Sequence, residues 1–185
     1  MKIAYIFFKD VTWLDFIGVY DPVSRLKHMK YLPKLDWDFC AHAPDVHDHY
    51  GLSFLPQFID NSLAGYDAII VPGGYGTRAL QHDEGFIKWL RTAESVPLKI
   101  SICTGSLLLG AAGFLRNKKA TSHFSEYDQL QKYGCEVLQQ RVVEDDGVIT
   151  AGAVTSSIDL GLHLCKLWAG KEAADVIRQR MDYRC

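Results

Sequence analysis

A chain of 185 residues, 48% of them hydrophobic, is long enough to bury a sizeable core in one α/β domain. Its net charge of −2 leaves no basic stripe for nucleic acid, and no apolar run is long enough to span a membrane. The opening Met1-Lys-Ile-Ala-Tyr-Ile-Phe-Phe-Lys-Asp is too short and too soon charged for a signal peptide, so the expected location is cytoplasmic. Lys2 to Phe8 then reads as a strand buried on both faces. Asp10 to Asp15 forms the turn into a helix carrying Trp13, Leu14, Ile17, Tyr20, Val23 and Leu26 at helical spacing, with a kink or fresh start at Pro22. Asp15 falls near the carboxyl end of the first strand. It is either a solvated first-turn acid or an acid pointing into a crevice.

Trp37 to Ala41 is a second strand. The loop after it holds His42, His47 and His49 with Asp45 and Asp48, but no helix fixes their spacing and no metal site is expected. Leu52 to Phe58 reads as a short extended piece, and Asp60-Asn61-Ser62 as a cap for a turn of helix. Tyr66 to Val71 is a buried strand stopped by Pro72-Gly73-Gly74-Tyr75-Gly76. A helix follows, from Thr77 or Asp83 to Glu94. Gly74-x-Gly76-x-x-Ala79 formally matches a dinucleotide fingerprint. The ribose-binding acid belongs at the end of the next strand, where Ile102 and Cys103 stand, so no nucleotide cofactor is expected. The better reading is that Gly73 and Gly74 present backbone N–H groups that could hold a developing anion.

Leu98, Ile100 and Ile102 alternate as a short buried strand, and Leu107 to Ala112 form an apolar helix ended by Gly113. Cys103 therefore sits on the sharp turn between them, with Gly105 leaving room. This is the logic of a nucleophile elbow, and a helix N-terminus favours a thiolate. The alternative is one more buried cysteine. Five cysteines (Cys40, Cys103, Cys135, Cys165 and Cys185) are an odd number without a CxxC, which fits reduced thiols rather than a disulfide framework or a zinc site.

Downstream, Ala120-Thr-Ser-His123-Phe leads into an amphipathic helix with Tyr127, Leu130 and Tyr133 on its apolar side. Cys135 to Leu138 is a strand. Arg141 to Thr150 is a hairpin turning at Asp146-Gly147. Helices from Thr155 to Trp168 and Glu172 to Met181 close a single domain over residues 1–185. The alternation of strands and helices predicts a doubly wound, mostly parallel sheet with helices on both faces. Asp15, Gly73-Gly74 and Cys103 would converge outside the carboxyl ends of its strands.

The residues that follow strands carry a family resemblance. Leu14-Asp15 with Gly18 and Asp21, Val71-Pro-Gly-Gly with Gly76, Ile102-Cys-Thr-Gly-Ser106, Leu109-Gly-Ala-Ala-Gly113, Ala120-Thr-Ser-His123, Arg141-Val-Val and Ser157-Ile-Asp159 together resemble the ThiJ/PfpI superfamily. Within it the chain is similar to the isocyanide hydratase-like branch. The resemblance implies a flavodoxin-like fold, no cofactor, a small-molecule substrate, a homodimer, and water addition to an isocyanide to give an N-formamide. It implies Cys103 as nucleophile and Asp15 as the acid at its sulfur, with Gly73, Gly74 and Thr104 lining the pocket and His123 at the pocket edge or in a structural role. Peptidase relatives have His immediately after the nucleophile, where this chain has Thr104. Two departures stand out. Gly18-Val19 replaces the usual Gly-Pro, which would change the pocket rim or a dimer contact. Arg25 to Lys34 looks longer than in the hydratase, which could cover or reshape the site. The rival readings are a redox or metabolite sensor and glyoxalase- or deglycase-like carbonyl chemistry.

Overall fold

The computed structural model describes residues 1–184, so Cys185 lies outside the described residues. The strands are β1 (Lys2–Phe7), β2 (Asp36–Ala41), β3 (Phe58–Ile59), β4 (Ala68–Val71), β5 (Leu98–Ile102), β6 (Lys119–Ala120), β7 (Glu136–Val137), β8 (Val142–Asp145) and β9 (Val148–Ala151). Seven of them form one sheet in the order β3-β2-β1-β4-β5-β9-β8. Only the β8–β9 pair in it is antiparallel. Without the edge strands β3 and β8, the order β2-β1-β4-β5-β9 is that of a flavodoxin-like sheet, with its switch point between β1 and β4. Strand β1 shows why its residues are apolar without alternation. Ile3, Tyr5 and Phe7 pack on one face, and Ala4, Ile6 and Phe8 on the other. Each large side chain buried this way is worth about 1.5–3 kcal/mol.

The helices are α1 (Trp13–His28), α2 (Thr77–Leu80), α3 (Glu84–Arg91), α4 (Gly105–Ala111), α5 (Tyr127–Gln131) and α6 (Ser156–Arg180). Helices α1 and α6 cover one face of the sheet. They approach closely because Gly18 and Gly161 lack side chains. A Cβ on Gly18 would lie 2.0 Å from Ser157 Oγ, and one on Gly161 would lie 2.4 Å from Pro22 Cγ. Pro22 sits inside one continuous helix rather than starting a second. Val19 is fully buried in this core and so does not shape the pocket rim, one of the two changes expected from Gly18-Val19. The stretch from Arg25 to Lys34 cannot cover the site either. It comprises the last turn of α1 and the loop that leads into β2, at the amino ends of the strands. The two C-terminal helices expected from the sequence are joined across Gly170, whose φ of 87° breaks the helical path inside α6. Leu167, before this break, is exposed.

Helices α2 to α5 lie on the other side of the sheet. One helix was expected from Thr77 or Asp83 to Glu94. The Asp83 start is the one α3 uses, because the Asp83 carboxylate accepts from the Phe86 N–H and caps it, while Thr77–Leu80 forms a separate short helix. The helix expected after His123 begins as a 3₁₀ turn, Phe124–Glu126. Cys135 to Leu138 yields only the short β7, which pairs with β6 in a separate small sheet. Asp60-Asn61-Ser62 caps no helix; the Ser62 hydroxyl accepts from the Ala64 N–H in a tight turn. The hairpin turn is as expected, with φ of 38° at Asp146 and 76° at Gly147. No described helix is long and apolar enough to cross a membrane.

Candidate active site

Three segments that leave carboxyl ends of neighbouring strands meet at one cavity. They are the β1–α1 loop, the β4–α2 turn and the β5–α4 turn. Cys103 occupies the last of these with φ of 54°, a left-handed conformation that costs a non-glycine residue roughly 1–2 kcal/mol. The surroundings enforce it. The Cys103 N–H donates toward the carbonyls of Ala151 (3.0 Å) and Gly152 (2.9 Å). Its carbonyl accepts from the hydroxyls of Ser106 (3.1 Å) and Ser122 (3.0 Å). Gly105 is required because a Cβ there would lie 2.2 Å from the Val71 carbonyl oxygen. The elbow predicted from sequence is thus present, and its cysteine is 5% exposed at the cavity floor.

Asp15 reaches the same point from the first turn of α1 and is completely buried, so it is not a solvated first-turn acid. Its Oδ2 accepts from the Gly73 N–H at 2.8 Å. Its Oδ1 is buried with no conventional hydrogen-bond partner, and the Cys103 thiol is the side chain that interacts with this carboxyl. Burial pushes Asp15 up to about 7, opposed by the Gly73 N–H and then by Cys103. Burial, followed by the charge of Asp15, pushes Cys103 up to about 12, while the Thr104 backbone and side chain and then Arg78 pull it down. The expectation that a helix N-terminus favours a thiolate is therefore outweighed. Desolvation dominates, and the thiol is the protonated member of the pair when Asp15 first ionises.

Gly73 and Gly74 are glycines for steric reasons. A Cβ on Gly73 would lie 2.7 Å from the Thr104 nitrogen and 2.8 Å from Asp15 Oδ2. Gly74 has φ of 143°, and its Cβ would lie 2.2 Å from the Asp10 carbonyl oxygen. Their N–H groups are not open to a developing anion in this structure. That of Gly73 is on Asp15, and that of Gly74 donates to the Thr104 hydroxyl at 3.0 Å. The tight turn expected from sequence is present, but its donors hold the other site residues in place rather than facing a ligand.

Thr104 is joined to a buried residue that sequence reasoning overlooked. The Thr77 hydroxyl can donate to the Gly74 carbonyl (2.8 Å) or to the Thr104 hydroxyl (2.9 Å). Thr104 carries one hydroxyl proton, and its possible acceptors are the Thr77 hydroxyl at 2.9 Å, the Gly74 carbonyl at 3.2 Å and the Cys103 sulfur. When Thr77 donates to Thr104, the Thr104 proton is directed away from Thr77 and toward the sulfur or the Gly74 carbonyl. Thr77→Val removes this arrangement at nearly constant volume. The expected result is a thiol that titrates at higher pH and a turnover lowered about 10-fold, the worth of one hydrogen bond to a charged group. Thr77→Ser should restore both. Titration of Cys103 unchanged in Thr77→Val would reduce Thr77 to a packing residue.

The cavity has a volume of about 200 Å³ and is lined by Thr12, Gly74, Tyr75, Arg78, Cys103, Thr104, His123 and Val154. His123 is at the edge, as expected. Its Nδ1 is engaged locally by the Ser125 N–H at 3.2 Å and lies 2.9 Å from the Ser125 hydroxyl. Thr12, Tyr75, Arg78 and Val154 were not singled out from sequence. The signal available was position alone, since each follows a strand that ends at the site. His42, His47 and His49 do not gather. They sit beside three different acids, Asp60 (2.7 Å), Asp45 (3.5 Å) and Asp10 (3.7 Å). No group of metal-ligating side chains occurs among the described residues. Cys40, Cys135 and Cys165 are buried and unbridged.

Comparison with known proteins fits this geometry. The DJ-1/PfpI family profile matches residues 2–167. An isonitrile hydratase from Pseudomonas putida is 33% identical over 184 residues, covering 99% of this chain and 78% of that protein. A glutathione-independent glyoxalase DJ-1 from Schizosaccharomyces pombe is 30% identical over 126 residues, covering 66% of this chain and 65% of that protein. Among solved structures, a ThiJ/PfpI family protein from Pseudomonas syringae superposes with a TM-score of 0.89 at 28% identity, covering all of this chain and 75% of that one.

Proposed function

The chain belongs to the DJ-1/PfpI family, and from that premise we propose that it is a cysteine-dependent hydratase that adds water to a small isocyanide to give an N-formamide. The observation that carries this reading is the pairing of Cys103, which lines a small cavity, with Asp15 fully buried beside it. Similarity to an isonitrile hydratase over nearly the whole chain supports the choice of substrate class.

The chemistry follows from the pair. With Asp15 ionised and the thiol protonated, Asp15 is the base. As sulfur forms a bond to the terminal isocyanide carbon, the thiol proton passes to Asp15 and from there to that carbon. The product is a thioimidate on Cys103. Water adds to the same carbon. The carbon–sulfur bond breaks, the sulfur recovers a proton, and the formamide leaves. A buried carboxyl poised near 7 can both take and return the proton at neutral pH. Activity should therefore rise through about pH 7 as Asp15 ionises.

The sensor reading is the weaker one on physical grounds. Peroxide attacks thiolates, and burial and Asp15 keep this thiol protonated. The glyoxalase-like reading has a relative in its favour, but that relative matches 66% of this chain against 99% for the isonitrile hydratase. Formamide appearance from an aryl isocyanide, measured beside turnover of methylglyoxal, separates the two. Formamide without loss of methylglyoxal is the expected result, and the reverse would overturn the proposal.

A further inference from the structure

Of the side chains lining the Cys103 cavity, Arg78 alone is fully charged at neutral pH. It reaches the cavity from α2, and its side chain is 43% exposed. Two contacts fix its direction. Nη2 donates to Glu126 Oε1 at 2.7 Å, and the guanidinium carbon lies 5.4 Å from the centre of the Tyr75 ring. Among the described residues this is the one hydrogen bond its guanidinium makes. A guanidinium has five N–H donors in a rigid fork suited to a carboxylate. Most of that fork therefore remains for a ligand. Its field also reaches Cys103, whose thiol it pulls down. A cavity of about 200 Å³ brings any ligand on Cys103 within a few bonds of this fork.

We propose that Arg78 is a specificity-determining residue, and that the pocket favours small substrates carrying a carboxylate a few bonds from the carbon that Cys103 attacks. This rests on Cys103 being the nucleophile. For the proposed hydration, the preferred class is an isocyano carboxylate over its uncharged ester. Glu126 is the built-in competitor. It pairs with Arg78 from the 3₁₀ turn, so it weakens the pull on an incoming anion.

The test uses two alkylating reagents that differ in charge and little in size, iodoacetate and iodoacetamide. Their rates on Cys103 are read by peptide mass spectrometry at pH 7.5. The thiolate fraction of Cys103 cancels in the iodoacetate-to-iodoacetamide ratio, and dividing by the same ratio for 2-mercaptoethanol, an uncharged thiol, removes the intrinsic difference between the reagents. The expected ratio in the unaltered protein is well above one. Arg78→Met should lower it about 10-fold, the scale of one hydrogen bond to a charged group, and Arg78→Lys should lower it less. Glu126→Gln should raise it. A ratio that Arg78→Met and Glu126→Gln both leave unchanged would overturn the inference and leave the nucleophile standing. Formamide production unchanged in Cys103→Ala would instead overturn the nucleophile on which it rests.

Discussion

Replacing Cys103 by alanine is expected to abolish formamide production, by on the order of 10⁴-fold or more, because no other group can form the covalent intermediate. Cys40, Cys135 and Cys165 are buried elsewhere in the core, away from this cavity, so none can substitute. The fold should survive. The elbow backbone is held by the Ala151, Gly152, Ser106 and Ser122 contacts, which involve the main chain of residue 103 and not its sulfur. Alanine keeps the strain at φ of 54°, whereas glycine relieves it. Cys103→Gly should therefore unfold at a free energy about 1 kcal/mol above that of Cys103→Ala. Both are read by denaturant melts beside the activity assay. Turnover surviving in Cys103→Ala would remove covalent catalysis. A glycine variant less stable than the alanine one by about 0.4–1 kcal/mol, the unfolded-state entropy of glycine, would show that the elbow stores no strain.

Asp15→Asn is expected to lose activity and gain stability together. Loss of the proton carrier should cost about 10²–10⁴-fold in turnover. The stability effect follows from the raised pKa. An unfolded aspartate ionises near 4, whereas folded Asp15 does so at about 7. Between those values the folded state binds the extra proton, so stability falls as pH rises from 4 to 7 and levels off above. Asparagine has no such fall. Three units correspond to about 4 kcal/mol, an upper figure, because the asparagine N–H group must itself find a partner beside Cys103. Asn can keep the bond from the Gly73 N–H through its own carbonyl oxygen. Melts at pH 8 should show Asp15→Asn above the unaltered protein, with the gap closing toward pH 4. A variant less stable at pH 8 would mean that Asp15 is held charged by groups other than those identified.

The position of the site was legible in the sequence because strand patterning is local. Three apolar runs end at Asp10, Pro72 and Cys103, and a parallel sheet must bring those ends together. The sharp turn at Cys103 was legible for the same reason, since Gly105 has no other use at a strand end. What escaped was set by side-chain direction across long separations. Whether Asp15 faced solvent or sulfur depended on the β4–α2 turn, 58 residues away. That the Gly73 and Gly74 donors were already taken depended on Asp15 and Thr104. Thr77 reads as an ordinary first helical residue until the Gly74 carbonyl is placed beside it. The departure at Val19 looked like a rim change, and the close α1–α6 crossing over Gly18 and Gly161 turned it into a core residue.

The most direct test of covalent catalysis at Cys103 is the mass of the protein stopped in acid during turnover of an aryl isocyanide. The expected result is an added mass of one isocyanide, located on the peptide that contains Cys103 and absent from Cys103→Ala. Rapid formamide production with no such adduct at any time sampled, or an adduct on another residue, would contradict it.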